Sequence, residues 1–168
     1  TKSGQKVLDP FAGVASTLKA CALSGRLGTG IELSPQYCEW GGERLAEEVP
    51  PDQLTRYPQE IISGDSRTVL ETLPDDEYSF VLSSPPYWRI LSKTPDKKAS
   101  TNPALRNGTL AYSDDARDFG CIQSYEEFIE AMAAFIVSCR RVLRPNGYMA
   151  LIVADFRDGP TLYPYSAD

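Results

Sequence analysis

Five short apolar runs alternate with helical patterns along this chain, and that alternation restricts its fold more than any other feature. The runs are KVLDPF (6–11), LGTGIEL (27–33), EIISGD (60–65), YSFVLSS (78–84) and YMALIVAD (148–155). Each has the length of a strand and is bounded by glycine, proline or polar residues. Between them lie GVASTLKACALSG (13–25), which ends in a glycine, and SPQYCEWGGERLAEEV (34–49), where Ser34 can cap and Pro35 takes the first helical position. Gly41 and Gly42 weaken the middle of that second helix. SRTVLETL (66–73) predicts a short helix. The strongest helical pattern is SYEEFIEAMAAFIVSCRRVL (124–143), in which Ser124 and Glu127 form a capping box and Tyr125, Phe128, Met132, Phe135, Ile136 and Cys139 share one face. Near-continuous apolar strands separated by helices predict an α/β fold, a mainly parallel sheet covered by helices on both faces. In such sheets ligands sit beyond the carboxyl ends of the strands, where strand order reverses. The sequence puts chemistry at those ends: Asp9 and Gly13 after the first run, Glu32 at the second, Asp65 at the third, residues 84–87 at the fourth and Asp155 at the fifth.

With 168 residues, 42% of them hydrophobic and 24% charged, the chain predicts a single domain over 1–168 with a real core. No apolar run reaches the length of a membrane span, and TKSGQKVLDPF lacks the layout of a secretory signal, so a cytoplasmic location is expected. There is no histidine, and Cys21, Cys38, Cys121 and Cys139 include no CxxC pair. That argues against a metal site built on those ligands and against imidazole catalysis, and predicts cysteines that serve as small buried hydrophobes. The net charge of −6 argues against non-specific coating of nucleic acid. Yet Arg89, Lys93, Lys97, Lys98 and Arg106 face a single anion, Asp96, within residues 89–111, a local +4 that leaves −10 elsewhere. These cations lie in a polar stretch, residues 89–123, predicted as one long loop; loops of that length are usually functional or mobile. RPNG (144–147) is expected to stop the long helix, and FRDGPTLYPYSAD (156–168) shows no further convincing strand.

Two segments stand out. In VLSSPPYW (81–88) an apolar run meets a hydroxyl and two prolines. Two missing backbone donors and two fixed φ angles end the strand at Ser84 and make a stiff corner that presents Tyr87 and Trp88. A rigid turn whose aromatics merely cover the sheet edge is the plain alternative. In VLDPFAGVAST (7–17) a strand, a tight turn and a helix start follow one another, with Gly13 allowing close approach of a ligand and the helix amides behind it. It is neither G-x-G-x-x-G nor a P-loop.

Taken in order, LDPFAG, GIEL, SGDS, SPPYW and YEEF…RRVLRPNGYMALIVAD resemble the DNA N4-cytosine/N6-adenine amino-methyltransferase family over nearly the whole chain. The resemblance implies a Rossmann-like fold and S-adenosyl-L-methionine as cofactor. It implies that Glu32, with Leu33 beside it, accepts the ribose hydroxyls, that Asp65 and Ser66 receive the adenine, and that Asp9, Pro10, Phe11, Ala12 and Gly13 border the methionine part. The plain alternatives are an exposed glutamate at 32 and a simple helix cap at 65. At the corner, the Ser84 hydroxyl and the Pro85 carbonyl would accept hydrogen bonds from an exocyclic amine, Pro86 would stiffen the turn, and Tyr87, helped by Trp88, would stack on the base. The target base must be flipped out of duplex DNA. There is no Pro-Cys pair, as ring-carbon methylation would need. Serine before Pro-Pro is typical of the N4-cytosine enzymes, acidic or Asn residues of the adenine enzymes. The expected activity is therefore DNA cytosine-N4 methylation, of the restriction-modification kind; adenine-N6, RNA or protein-amide methylation, or a catalytically silent nucleic-acid-binding module, are the alternatives. Arg89, Lys93, Lys97, Lys98 and Arg106 are candidate phosphate contacts, while Tyr112 and Phe119 read as loop packing before wedges. The family's last two strands and its target-recognition segment are not evident, so the fold is expected to lack its final strands and to rely on a further domain or subunit for target choice.

Overall fold

The computed structural model describes residues 1–88, 115–158 and 160–168. Strands β1 (Lys6–Asp9), β2 (Leu27–Glu32), β3 (Gln59–Ser63), β4 (Tyr78–Ser83) and β5 (Leu143–Leu151) form one sheet in the order β3-β2-β1-β4-β5, parallel throughout. The crossovers carry α1 (Ser16–Leu23), α2 (Pro35–Glu48), α3 (Pro51–Arg56), α4 (Ser66–Thr72) and α5 (Tyr125–Val142). The chain winds outward from β1 to β3 and then returns to the other side of β1 with β4. Strand order therefore reverses between β1 and β4, the place where an open parallel sheet offers a crevice. The parallel α/β sheet expected from the alternation, and the Rossmann-like architecture implied by the resemblance, are observed.

Two compact units make up the chain: Thr1–Pro85 with Ala134–Ile152, and Pro86–Ala133 with Val153–Asp168. The first holds the whole parallel sheet. Leu8, Leu18, Ile31, Leu70 and Val81 are fully buried in it, each contributing about 1.5–3 kcal/mol relative to exposure. Ala12, Ala15, Leu18, Ala22, Leu45 and Val49 cluster together, with Leu54 and Ile61 packed against them. Gly41 explains why α2 tolerates its glycines: a Cβ there would meet the Ala15 Cβ and the Ile61 Cδ1, each at 3.2 Å, so its absence lets the helix pack closely. Ser34 caps α2 by accepting from the Tyr37 amide at 3.4 Å, as expected. Phe135, Cys139 and Val142 of α5 are buried, but Ile136 is 37% exposed, so the apolar face is narrower than its spacing predicted.

Several boundaries differ from expectation. Helix α1 starts at Ser16, not at 13, because Gly13 (φ 53°) and Ala15 (φ 61°) are left-handed and cannot be helical. α3 was not expected, although Pro50-Pro51-Asp52 is a helix-start signal. RPNG does not separate α5 from the last strand: β5 begins at Leu143, and its register with β4 jumps from Tyr78↔Leu143 to Phe80↔Tyr148, with Asn146 at φ 63° inside the irregularity. The strand also ends at Leu151, so Asp155 is not at a strand end. Its carboxylate instead accepts from the Ser166 amide and hydroxyl, which hold its pKa below the ordinary value.

The second unit contains a 3₁₀ turn (Phe119–Cys121), the start of α5, and a hairpin of β6 (Phe156–Asp158) and β7 (Thr161–Tyr163). The hairpin corrects the expectation of no strand after residue 155. Its Asp158-Gly159 pair is a hairpin signal, but three-residue strands are too short to show a period. Trp88 is buried, with ring centroids 5.1–5.5 Å from Tyr125, Phe156 and Tyr163, and Phe156 stacks on Tyr163 at 4.9 Å and 7°. Phe119 is buried. Ser124 caps α5, accepting from the Glu127 amide at 3.0 Å.

Cys21 and Cys139 are buried as expected, which pushes their thiols up to about 11 and about 12. Cys38 and Cys121 are only half-buried. Among the described residues no helix is long and apolar enough to cross a membrane.

Candidate functional site

The end of β1 is a buried carboxylate. Asp9 is 4% exposed and accepts hydrogen bonds from the Ser83 hydroxyl at 2.6 Å and from the Phe11 amide at 3.2 Å. Burial raises its pKa, and the Ser83 and Thr17 hydroxyls and the Phe11 amide oppose that rise. Pro10, fully buried, lacks the amide that would prolong the strand, so the chain turns. Phe11 packs its ring 4.9 Å from that of Phe135. The buried Ala12 gives its amide to the Ile31 carbonyl at 2.9 Å.

The amide of Gly13 donates to Glu32 Oε2 at 2.8 Å, and Glu32 Oε1 accepts from the Ser34 amide at 2.8 Å. The glutamate at the end of β2 therefore ties the turn after β1 to the turn after β2. It is not the exposed surface residue of the plain reading. An ionised carboxylate accepts up to about four hydrogen bonds, so holding two amides is compatible with holding a diol as well. A Cβ added at Gly13 would meet no described heavy atom within 4 Å, so the turn opens onto space that a ligand can approach. The expected helix amides behind Gly13 are displaced, because α1 begins only at Ser16.

At the end of β3, Asp65 caps α4 and accepts from the Arg67 amide at 3.0 Å. The Arg67 guanidinium adds a fork on both its oxygens at 2.7–3.1 Å. Asp65 and Ser66 are buried, and Leu33 is half-buried. The cap reading of Asp65 is thus realised, and any adenine contact would share the carboxylate with Arg67.

At the end of β4 two serines diverge. Ser83 is 1% exposed and bonds Asp9, while Ser84 is exposed and sends its hydroxyl to the Ile152 carbonyl at 3.4 Å. The Ile152 amide in turn donates to the Ser83 carbonyl at 2.9 Å. Pro85 is fully buried. Asp9, Gly13, Glu32, Ser83, Ser84 and Pro85 all belong to the first unit, at the carboxyl ends of three neighbouring strands. Ser83 was not among the expected site residues; its signal is a hydroxyl at the strand's end in phase with the buried Ser79 and Val81.

Pro86 and Tyr87, both half-buried, fall in the second unit with Trp88. Trp88 donates its indole N–H to the Ile122 carbonyl at 2.9 Å from inside the aromatic cluster. That is a packing position, not an exposed platform beside a base. Arg89, Lys93, Lys97, Lys98, Arg106 and Tyr112 lie outside the described residues.

Residues 1–44, which span β1, the Gly13 turn, β2 and the start of α2, match the N6/N4 methyltransferase family model, described as DNA methylase. The fold is that of S-adenosylmethionine-dependent methyltransferases. A methyltransferase of this kind from Agrobacterium tumefaciens superposes with a TM-score of 0.59 at 16% identity, covering 94% of this chain and 41% of its own. One from Geobacter sulfurreducens, solved with S-adenosyl-L-homocysteine, gives 0.53 at 19% identity and covers 90% and 42%. One from Aquifex aeolicus gives 0.51 at 14%, covering 89% and 56%. The chain thus spans about two fifths to just over half the length of these structures.

Proposed function

We propose that the chain is the catalytic region of an S-adenosylmethionine-dependent methyltransferase that acts on the exocyclic N4 amine of a flipped-out cytosine in DNA. The observation that carries this reading is the hydrogen bond from Ser83 to Asp9, which joins the Gly13 turn and the Ser84-Pro85 corner at the point where strand order reverses. The match of residues 1–44 to the DNA methylase family supports DNA as substrate.

The residues present fit the cofactor. Glu32 would hold the ribose hydroxyls, residues 9–13 would border the amino-acid part, and Asp65 with Ser66 would lie by the adenine. When bound, S-adenosylmethionine supplies an electrophilic methyl on a sulfonium. The chain's own task is to make a poor nucleophile attack. The lone pair of a nucleobase amine is delocalised into its ring. Acceptors at the Ser84 hydroxyl and the Pro85 carbonyl bond its two hydrogens, favour a pyramidal nitrogen and stabilise the positive charge that develops on it. Ser84 is suited to accept because its own proton is directed to the Ile152 carbonyl. As the methyl passes to nitrogen and the neutral thioether leaves, the Ser84 hydroxyl and the Pro85 carbonyl would hold the amine's two hydrogens until one is released to water. Tyr87, two residues beyond Pro85, would stack on the extruded base. The cations at 89, 93, 97, 98 and 106 would neutralise phosphates, and target choice would draw on a further domain or subunit.

The test is mass spectrometry of nucleosides from DNA incubated with the protein and methyl-labelled cofactor. Label on cytosine N4 is the expected result. Label on adenine N6 would replace cytosine as the target, and DNA binding without transfer would overturn the enzymatic reading.

A further inference from the structure

We infer that Ser83, outside the Pro-Pro motif, is a positioning residue that locks the turn after β1 to the end of β4 and so sets the spacing between the cofactor's place and the amine-gripping corner; the inference rests on the reading of those turns given above. The backbone ladder cannot set that spacing. Registered pairs between β1 and β4 are Val7↔Phe80 and Leu8↔Val81, so pairing stops before either turn begins. Beyond the ladder, the Ser83 hydroxyl reaches Asp9 Oδ1 at 2.6 Å, between two buried residues.

The bond is one link in a longer chain. The same Asp9 oxygen accepts from the Phe11 amide and so shapes the turn. One residue on, the Ala12 amide bonds the Ile31 carbonyl, and the Gly13 amide bonds Glu32. On the other side the Ser83 carbonyl accepts from Ile152, whose own carbonyl accepts from Ser84. The Ser83 side chain is therefore the link between the ends of β1 and β4, while backbone amides and carbonyls on either side of it carry the connection on to β2 and β5. Removing its hydroxyl leaves the buried carboxylate with the Phe11 amide and the Thr17 hydroxyl but without its bond to β4, so the turn is freed to shift against that strand. A displacement of ~1 Å is enough to cost on the order of 10²-fold in rate at a site of this kind.

The experiment measures calorimetric affinity for S-adenosyl-L-homocysteine in the wild type and in the Ser83→Ala, Ser83→Thr and Ser83→Val variants, at a temperature well below each thermal midpoint. Threonine and valine share a shape and differ in the hydroxyl, so their comparison stands even if the alanine variant fails to fold. Valine and alanine are expected to weaken binding by about tenfold or more, the size of one hydrogen bond to a charged group, with threonine within about threefold of the wild type. Equal affinity in the threonine and valine variants would overturn the inference. A wild type that binds no S-adenosyl-L-homocysteine would instead overturn the cofactor reading beneath it, so the two failures are distinguishable.

Discussion

The two compact units are held together by different physics. The first is a parallel sheet whose strands are aliphatic and whose ends are joined by polar bonds from Asp9, Glu32 and Ser83. The second gathers rings: Trp88, Tyr125, Phe128, Phe156, Tyr163 and Tyr165 meet edge-on, tilted or stacked around a hairpin of two three-residue strands. Backbone ladders and directional hydrogen bonds fix atoms more tightly than ring packing does, which suits the aiming role proposed for the first unit. Aromatic packing supplies burial with few directional bonds, and suits a unit that needs mass around a short frame.

The largest expected effect tests the ring-built unit. Trp88→Ala should lower stability by about 3–5 kcal/mol, read by chemical denaturation, because it empties a buried aromatic site and strands the Ile122 carbonyl. A loss below about 1 kcal/mol would mean that the rings are not what holds this unit. Next comes the aiming function of the first unit. Ser84→Ala should lower turnover by about 10²-fold with cofactor affinity unchanged, whereas Glu32→Ala should mainly weaken cofactor binding. The reverse split would exchange the two turns' roles. Third, Gly30→Ala should destabilise by about 1–3 kcal/mol, since its Cβ would lie 2.7 Å from that of Ala12 and 2.9 Å from Leu18 Cδ1. A neutral result would show that the sheet under the Asp9 turn yields more than its packing implies.

The smallest effect is electrostatic and contrasts the units directly. Burial raises the pKa of Asp9, while the Ser166 hydroxyl and amide lower that of Asp155. The folded form thus binds the Asp9 proton more tightly than the unfolded one. Its contribution to stability falls as pH rises from the unfolded aspartate value through the raised folded one. Asp155 has the opposite sign: its contribution is present above the unfolded value and is lost as pH falls through the lowered one. Carboxyl-carbon NMR titration should find Asp9 above and Asp155 below the ordinary aspartate range, and the same direction for both would remove the contrast.

The same division explains what could be read in advance. The five strands and the placing of Asp9, Gly13, Glu32 and Ser84 at strand ends were legible because buried parallel strands are continuous apolar runs and prolines mark where they stop; the strand order, and with it the reversal between β1 and β4, was not. Helix ends were less legible. Left-handed Ala15 delayed α1 by three residues although nothing in alanine announces that conformation. The hairpin was missed because three-residue strands carry no period, and Trp88 looked like a presented aromatic because its partners lie tens of residues further along the chain.

Local patterning by itself determined the alternation, the sheet's parallel sense and the strand ends that carry polar groups, since periodicity and proline chemistry act within a few residues. Only the tertiary structure decided that Ser83 and not Ser84 bonds Asp9, that Glu32 holds two backbone amides, and that Trp88 is packed away. The reason is that such bonds join residues far apart in sequence, and their partners exist only once the strands lie side by side.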